Sequence, residues 1–161
     1  CDIEANSPSY CLNMAPGFAV AGVVNIGGVG RADILFRNET SGALFALTDG
    51  GWRDLLTLGG GWRLAGLGDV VGGPADDFVF INDATRTVIF WDATAGSAGW
   101  RDFATIAPGW SISGFHDLDG DARTDVLLQH TDGNAIYWTG SSWGSLGNVL
   151  AGATLLGAGE L

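Results

Sequence analysis

Lysine is missing from this 161-residue chain, so arginine supplies all seven of its basic residues. Eighteen acidic residues outnumber them and give a net charge of −11. A surface this negative repels phosphate backbones and anionic lipid headgroups, so we expect no nucleic-acid partner. The sequence also lacks any run of about 18 apolar residues, and we therefore expect no membrane span.

Cysteine is scarce, and both cysteines stand near the first residue, at Cys1 and Cys11. A pair that closes a short loop fits the oxidising compartments of secreted proteins, and it predicts a disulfide. Two free thiols, or a lipid-bearing Cys1, are the alternatives. Asn38 begins an Asn-Glu-Thr triplet, the acceptor pattern for N-glycosylation, although one such match is close to chance.

No stretch has a convincing helical period of apolar residues. The chain is instead rich in turn formers and aromatics, with 27 glycines and seven tryptophans. Many glycines with many aromatics are typical of short strands joined by tight turns. The composition therefore predicts an all-β protein.

A repeat organises the chain. Its copies begin at Gly17, Gly61 and Gly109, which are 44 and 48 residues apart: GFAVAGVVNIGGVGRADILF, GWRLAGLGDVVGGPADDFVF and GWSISGFHDLDGDARTDVLL. Each copy continues with an apolar stretch, such as TVIFWD at 87–92, and then a stretch led by tryptophan. Each repeat therefore reads as four short strands separated by Gly, Asp, Asn and Thr turns.

The repeats divide one domain into five segments. Repeat 1 spans 17–60, repeat 2 spans 61–108 and repeat 3 spans 109–151. Residues 1–16 resemble the last strand of a preceding unit, and 152–161 resemble the first strand of a fourth. We therefore predict a β-propeller-like stack of about three four-stranded units with unmatched strands at both ends.

A four-stranded unit cannot bury its faces alone and must stack on neighbours. Propellers typically have about 4 to 8 such blades, so three do not close a ring comfortably. The alternatives are a segment of a longer propeller, an open stack, or an assembly completed by other copies. Head-to-tail contacts of the last kind produce rings or filaments.

An acidic loop in repeat 3 has the pattern of a cation site. Its carboxylates stand on near-alternate residues: Asp117, Asp119, Asp121 and Asp125. Together with a main-chain carbonyl near Arg123, they offer the oxygen ligands that calcium prefers. Ala122 and Leu128 replace the Gly and Glu that an EF-hand requires, and a single imidazole, His116, argues against a transition metal. A solvated acidic turn is the alternative.

The sister loops keep only two of the four polar positions. These are Asn25 and Asp33 in repeat 1, and Asp69 and Asp77 in repeat 2. Two oxygen ligands rarely hold calcium against water, so we expect turns without metal, whose acids cap backbone N–H groups.

The stretch DLDGDARTDVLLQ, with an aromatic-glycine strand before it and TDGNAIYW after it, resembles the FG-GAP or VCBS repeat of β-propeller proteins. The resemblance covers most of the chain from Gly17 onward and is strongest in repeat 3. It implies calcium ligation by the four aspartates of the acidic loop. It also implies a role in extracellular adhesion, ligand recognition or as an accessory domain.

No recognisable catalytic constellation accompanies these features, so we expect no enzyme. His116 and His130 have no nucleophile at a familiar spacing. The recurring tryptophans are explained by packing between units. Sugar stacking on exposed rings, at Trp52, Trp100 and Trp143, is the functional alternative.

These observations predict a secreted or cell-surface, calcium-stabilised protein that associates with other copies of itself. Its assembly would be a filament or ring with a structural or adhesive role. Two alternatives remain from the sequence. The protein is a lectin-like, carbohydrate-binding domain, or an accessory domain of a larger secreted hydrolase. Surface glycans and an extracellular protein are the alternative partners.

Overall fold

The computed structural model describes residues 16–148 as twelve short strands and one short 3-10 helix. The strands are β1 (Phe18–Val24), β2 (Asp33–Asn38), β3 (Ala43–Thr48), β4 (Gly51–Thr57), β5 (Trp62–Gly68), β6 (Asp77–Asn82), β7 (Thr87–Asp92), β8 (Trp100–Thr105), β9 (Trp110–His116), β10 (Asp125–His130), β11 (Asn134–Trp138) and β12 (Trp143–Asn148). The 3-10 helix, η1, is Gly96–Gly99. No helix within 16–148 has the length and apolar character to cross a membrane.

The strands form three antiparallel sheets of four consecutive strands each. We call them unit 1 (β1–β4), unit 2 (β5–β8) and unit 3 (β9–β12). The predicted all-β class and its three four-stranded units are confirmed. The strands predicted before residue 16 and within 152–161 lie outside the described residues, as do Cys1 and Cys11.

The core lies between the sheets, and the middle unit contributes to both halves of it. Successive side chains of a strand point to opposite faces. Phe78 and Phe80 of β6 accordingly pack against unit 1, whereas Val79 and Ile81 pack against unit 3. All four are 7% exposed or less, so β6 is buried on both faces. Such a strand explains why this segment reads as a continuous apolar run.

The second glycine of repeats 1 and 2 makes room for the following unit. A Cβ atom at Gly22 would lie 2.8 Å from Cδ1 of Leu67 in unit 2. A Cβ atom at Gly66 would lie 2.1 Å from Cε2 of Phe115 in unit 3. Both distances are below van der Waals contact. At Gly66 the obstacle is the rigid ring of Phe115, so only glycine fits there, whereas the flexible end of Leu67 could move away from a Cβ atom at Gly22.

A backbone hydrogen bond also joins neighbouring units at equivalent loop positions. The N–H of Asp76 donates to the carbonyl of Asn25 at 2.8 Å, and the N–H of Thr124 donates to the carbonyl of Asp69 at 2.7 Å. The loop of each following unit thereby rests on the loop of the unit before it. This stacking places the three loops that follow β1, β5 and β9 side by side.

Candidate metal site

The acidic loop of unit 3 connects β9 to β10. Asp117 directly follows β9, and Asp125 is the first residue of β10, where it pairs with His116. One carboxylate oxygen from each of Asp117, Asp119 and Asp125 lies within 4.8 Å of the other two. Oxygens bound to a single calcium ion at about 2.3–2.6 Å are at most about 5 Å apart, so this spacing fits one ion.

Asp125 supplies the buried side of the cluster. The residue is 0% exposed, and its Oδ2 atom accepts a hydrogen bond from the N–H of Leu118 at 2.7 Å. Its Oδ1 atom is buried and has no hydrogen-bond donor within residues 16–148. A buried carboxylate oxygen without a donor destabilises the folded state, because it has lost its hydrogen bonds to water and has gained no other in their place. A cation at this point would replace the missing donor.

The negative charges of the loop also favour a bound cation. Burial raises the pKa of the Asp125 carboxyl, and the negative charges of Asp119, Asp121 and Asp117 raise it further. The hydrogen bond from Leu118 acts in the opposite direction. The net increase means that the folded loop disfavours a fourth negative charge. A divalent cation would reverse that balance.

Short hydrogen bonds within the loop hold the carboxylates in place. Asp117 accepts from the N–H of Gly120 at 2.7 Å and from that of Ala122 at 2.9 Å. Ala122 has a φ of 65°, a left-handed conformation that is uncommon for a residue with a side chain. Each carboxylate oxygen has two lone pairs, so accepting one N–H leaves capacity for a metal.

Asp121 does not join the three-carboxylate group, and ligation by a main-chain carbonyl near Arg123 stays a prediction. The Asp121 carboxylate accepts a hydrogen bond from the Arg123 N–H at 2.8 Å. The guanidinium of Arg123 lies against unit 2, with Cζ 2.7 Å from the position of a Cβ at Gly72. The structure therefore brings together three of the four predicted aspartates and turns the arginine side chain towards the neighbouring unit.

The sister loops use their acids as backbone caps. In unit 1, Asp33 accepts from the N–H of Ile26 at 3.0 Å. In unit 2, Asp77 accepts from the N–H groups of Val70 and Val71, both at 2.8 Å. These caps were expected from the sequence. Leu118 and Asp125 make the equivalent bond in unit 3, so the same cap recurs in all three loops.

The first polar residue of each sister loop is only partly satisfied. Asn25 donates its Nδ2 to the carbonyl of Pro74 at 3.1 Å and its N–H to Asp76 at 2.7 Å. Its Oδ1 atom, like Oδ1 of Asp69, is buried without a donor within 16–148. Neither loop forms a group of three possible metal ligands, and within the described residues that arrangement occurs only in unit 3. Sequence reasoning missed the bridging role of Asp76, because the bridge joins two units.

The fourth-strand tryptophans are the exposed ones. Trp52 is 58% exposed, Trp100 is 42% exposed and Trp143 is 53% exposed. Each still stacks on an aromatic ring of the sheets, at centroid distances of 5.1 to 5.7 Å. Trp91 is only 6% exposed and belongs to the core. The tryptophans therefore differ in role: Trp91 packs in the core, whereas the tryptophans of the fourth strands also present part of their rings to solvent.

Asn38 has a structural task in the turn after β2. Its Oδ1 atom accepts from the N–H groups of Thr40 at 3.0 Å and Ser41 at 2.9 Å. Asn82 makes the same pair of bonds in unit 2, at 3.0 Å each. The recurrence explains the asparagine by turn formation. Glycosylation at Asn38 stays a prediction.

Comparison with known proteins gives no relative from which a function could be transferred. No known protein family, curated protein or solved structure matches the chain. The class of protein is therefore defined by the fold: an all-β protein of three consecutive four-stranded antiparallel sheets. Its likeness to FG-GAP and VCBS repeats rests on the acidic loop and the repeat pattern, and it stays a prediction.

Proposed function

We propose that this protein is a secreted, non-catalytic module of the FG-GAP or VCBS type that associates with copies of itself and is stabilised by calcium. The observation that carries the proposal is an exposed apolar face on β1. Val20 is 59% exposed and Val23 is 65% exposed. Their counterparts in units 2 and 3 pack into the clusters between units: Leu64, Leu67, Ile112 and Phe115. Unit 1 thus presents a face built like a contact between units.

A second copy of this chain is the partner that this face fits. In the two contacts within the chain, Leu67 covers Gly22 and Phe115 covers Gly66. Val23 occupies the corresponding position in unit 1. The matching glycine of unit 3 is Gly114, and the three described atoms nearest its Cβ position belong to His116 and Leu127 of its own unit. Val23 of one copy would therefore cover Gly114 of the next.

Such a contact joins different faces of the two copies. A contact between different faces continues from copy to copy, and it produces a closed ring or an open filament. It also buries β1, whose exposed apolar residues are a liability in a free protein. Assembly by repetition of the contact already used twice within the chain is the simplest way to cover that face.

Calcium would act as a structural ion in this assembly. Asp117, Asp119 and Asp125 would hold it at the loop between β9 and β10. Asp125 also begins β10, so the ion would tie the first two strands of unit 3 together. The support for calcium is the meeting of three carboxylates, one of which, Asp125, has a buried Oδ1 atom without a donor within 16–148.

A non-catalytic role is supported by the contacts that the titratable side chains make. His130 pairs with Asp132 at 2.7 Å and packs on the ring of Trp110 at 5.0 Å. Asp76 and Asp77, adjacent carboxylates, each accept backbone N–H groups in the loops. These contacts describe structural duties rather than a nucleophile beside a base.

The proposal is tested by assembly of two complementary variants. Val23→Asp places a charge on the face of unit 1, and Gly114→Val fills the slot of unit 3. We expect wild-type protein to form oligomers in light scattering at high concentration, and each variant alone to remain monomeric. A mixture of the two variants should form a dimer and nothing larger, because each retains the one face that the other lacks. Ala84→Asp, in the exposed turn between β6 and β7 of the middle unit, is the control and should assemble normally.

A stable wild-type monomer at high concentration would refute self-association. If the mixed variants fail to dimerise although the wild type assembles, then the contact does not join Val23 to Gly114. Electron microscopy of the wild type would then distinguish a ring from a filament.

A further inference from the structure

A groove of about 350 Å³ lies between unit 1 and unit 2, away from the acidic loop. Residues Arg53 to Leu56 of β4 form one wall, and the other wall contains Trp91, Ala93, Trp100 and part of η1. A volume of this size is at the small end of ligand pockets, which range over about 300–1,000 Å³. The groove can therefore hold a single small ring with its substituents.

The η1 wall is an addition that the other units lack. Four residues separate the paired Leu47 and Trp52 in unit 1, whereas eight separate the paired Trp91 and Trp100 in unit 2. These four additional residues account for the repeat spacing of 48 against 44 residues. The indole Nε1 of Trp91 donates to the carbonyl of Gly96 at 2.8 Å. Asp92 accepts from the N–H of Thr94 at 2.8 Å and from its hydroxyl at 2.6 Å. These bonds hold the added segment in a defined position beside the groove.

Trp100 forms a flat apolar platform at the rim. Its ring stacks on that of Trp91 with an interplanar angle of 23° and a centroid distance of 5.7 Å. The ring is supported from below and still 42% exposed, so one face is open to a ligand. A supported aromatic ring loses little conformational entropy when it binds.

Polar groups of both signs surround this platform. Arg53 donates hydrogen bonds, Asp54 accepts them, and the hydroxyl of Ser97 can do both. Neither Arg53 nor Asp54 forms an ion pair or a side-chain hydrogen bond within residues 16–148. A hydroxyl group of a ligand both donates and accepts hydrogen bonds, so it needs acceptors and donors together. An anionic ligand would instead be repelled by the net charge of −11 on the protein.

We infer that this groove binds a neutral pyranose sugar. The C–H face of the sugar ring stacks on Trp100, and its hydroxyl groups bond to Arg53, Asp54 and Ser97. The combination of one aromatic platform with unpaired donors and acceptors matches a ring that is apolar on its faces and polar at its edges.

The contact between units 2 and 3 supplies a natural control. There, Phe103 takes the place that Leu55 occupies in β4. The Phe103 ring packs 4.5 Å from Trp138 and 5.7 Å from Trp143, so it fills the space corresponding to the groove. The fold thus accepts phenylalanine at this position, and Leu55→Phe should close the groove while the sheets remain intact.

The test measures binding of methyl glycosides by saturation-transfer NMR and calorimetry. The probes are the neutral methyl glycosides of glucose, galactose, mannose, fucose and N-acetylglucosamine, with methyl glucuronide as the anionic comparison. We expect at least one neutral glycoside to bind with a dissociation constant of about 1 mM, as a dozen or so non-hydrogen atoms in an open groove permit. Leu55→Phe should weaken that binding about tenfold or more.

Two further variants keep the result interpretable. Trp100→Leu removes the platform from the other wall and should weaken binding by a similar factor, even if Leu55→Phe misfolds. Trp52→Leu removes a more exposed tryptophan outside the groove and should leave binding unchanged. The inference is overturned if no neutral glycoside binds, if methyl glucuronide binds more tightly than all of them, or if Trp52→Leu has the same effect as Trp100→Leu.

Discussion

Removing one carboxylate from the acidic loop should abolish stabilisation by calcium without unfolding the protein. Asp119 is the residue to change because it is exposed and belongs to the three-carboxylate group. A ligand at a hundred times its dissociation constant stabilises the folded state by about 2.7 kcal/mol. In a protein of this size, about 1 kcal/mol corresponds to about 2–4 °C, so calcium should raise the melting temperature by about 5–11 °C.

Asp119→Asn should show little of this shift. In EDTA its melting temperature should match that of the wild type closely, because an amide oxygen can still accept the N–H of Asp121 at 3.2 Å. The measurement is thermal unfolding followed by circular dichroism, with EDTA or with saturating calcium. Comparing both conditions separates metal binding from general stability.

Asp77→Asn is the matched control from the sister loop. Its amide oxygen can still accept the two backbone N–H groups that the Asp77 carboxylate accepts, so any change in stability should be the same in EDTA and in calcium. The calcium-dependent increase should nevertheless persist. The reasoning fails if calcium does not stabilise the wild type, or if the two substitutions reduce the calcium shift equally.

Two more predictions concern acid and packing. Folding raises the pKa of Asp125, so the folded state keeps this proton to higher pH, and the group's contribution to the free energy of unfolding declines as pH rises through the raised pKa. In EDTA, Asp125→Asn should therefore gain stability relative to the wild type as the pH rises above about 4, the ordinary pKa of an aspartate, in urea unfolding, and a constant difference would contradict this. Gly66→Ala should cost about 1–3 kcal/mol, because its Cβ would meet the Phe115 ring at 2.1 Å. Gly73→Ala, whose Cβ position is open, should stay within about 0.5 kcal/mol, and equal losses at both glycines would count against the packing explanation.

Much of the fold could be predicted because the patterns that specify its strands and turns extend over only a few neighbouring residues. The stretch TVIFWD at 87–92 corresponds to β7, and its alternating side chains divide between the two packing clusters. The glycine at the sixth position of each repeat signals a crowded backbone. What the sequence could not indicate is which side chain crowds it, because Leu67 and Phe115 come from the next unit.

The metal site was predictable in its residues but not in its geometry. The spacing of the aspartates treats Asp121 as equal to its neighbours. In the folded loop, Asp121 instead accepts the N–H of Arg123, and Ala122 adopts a left-handed conformation that redirects the chain between them. Turn geometry of this kind depends on several hydrogen bonds at once. A pattern of residue types does not specify it.

The groove beside Trp100 had only a faint signal in the sequence. The four additional residues of repeat 2 mark an insertion, but their position opposite β4 depends on how units 1 and 2 stack. Likewise, the difference between Leu55 and Phe103 reads as a conservative exchange. In the structure it is the difference between an open groove and a filled one.

The sequence by itself therefore determined the all-β class, the three units and the acidic loop, since glycine spacing, alternation and clustered charge act over a few neighbouring residues. Only the tertiary structure decided that Asp125 is buried with an oxygen that has no donor among residues 16–148, that β1 exposes Val20 and Val23, and that a groove opens between units 1 and 2. These features arise where different units meet. Their burial and exposure depend on residues tens of positions apart, which no local pattern encodes.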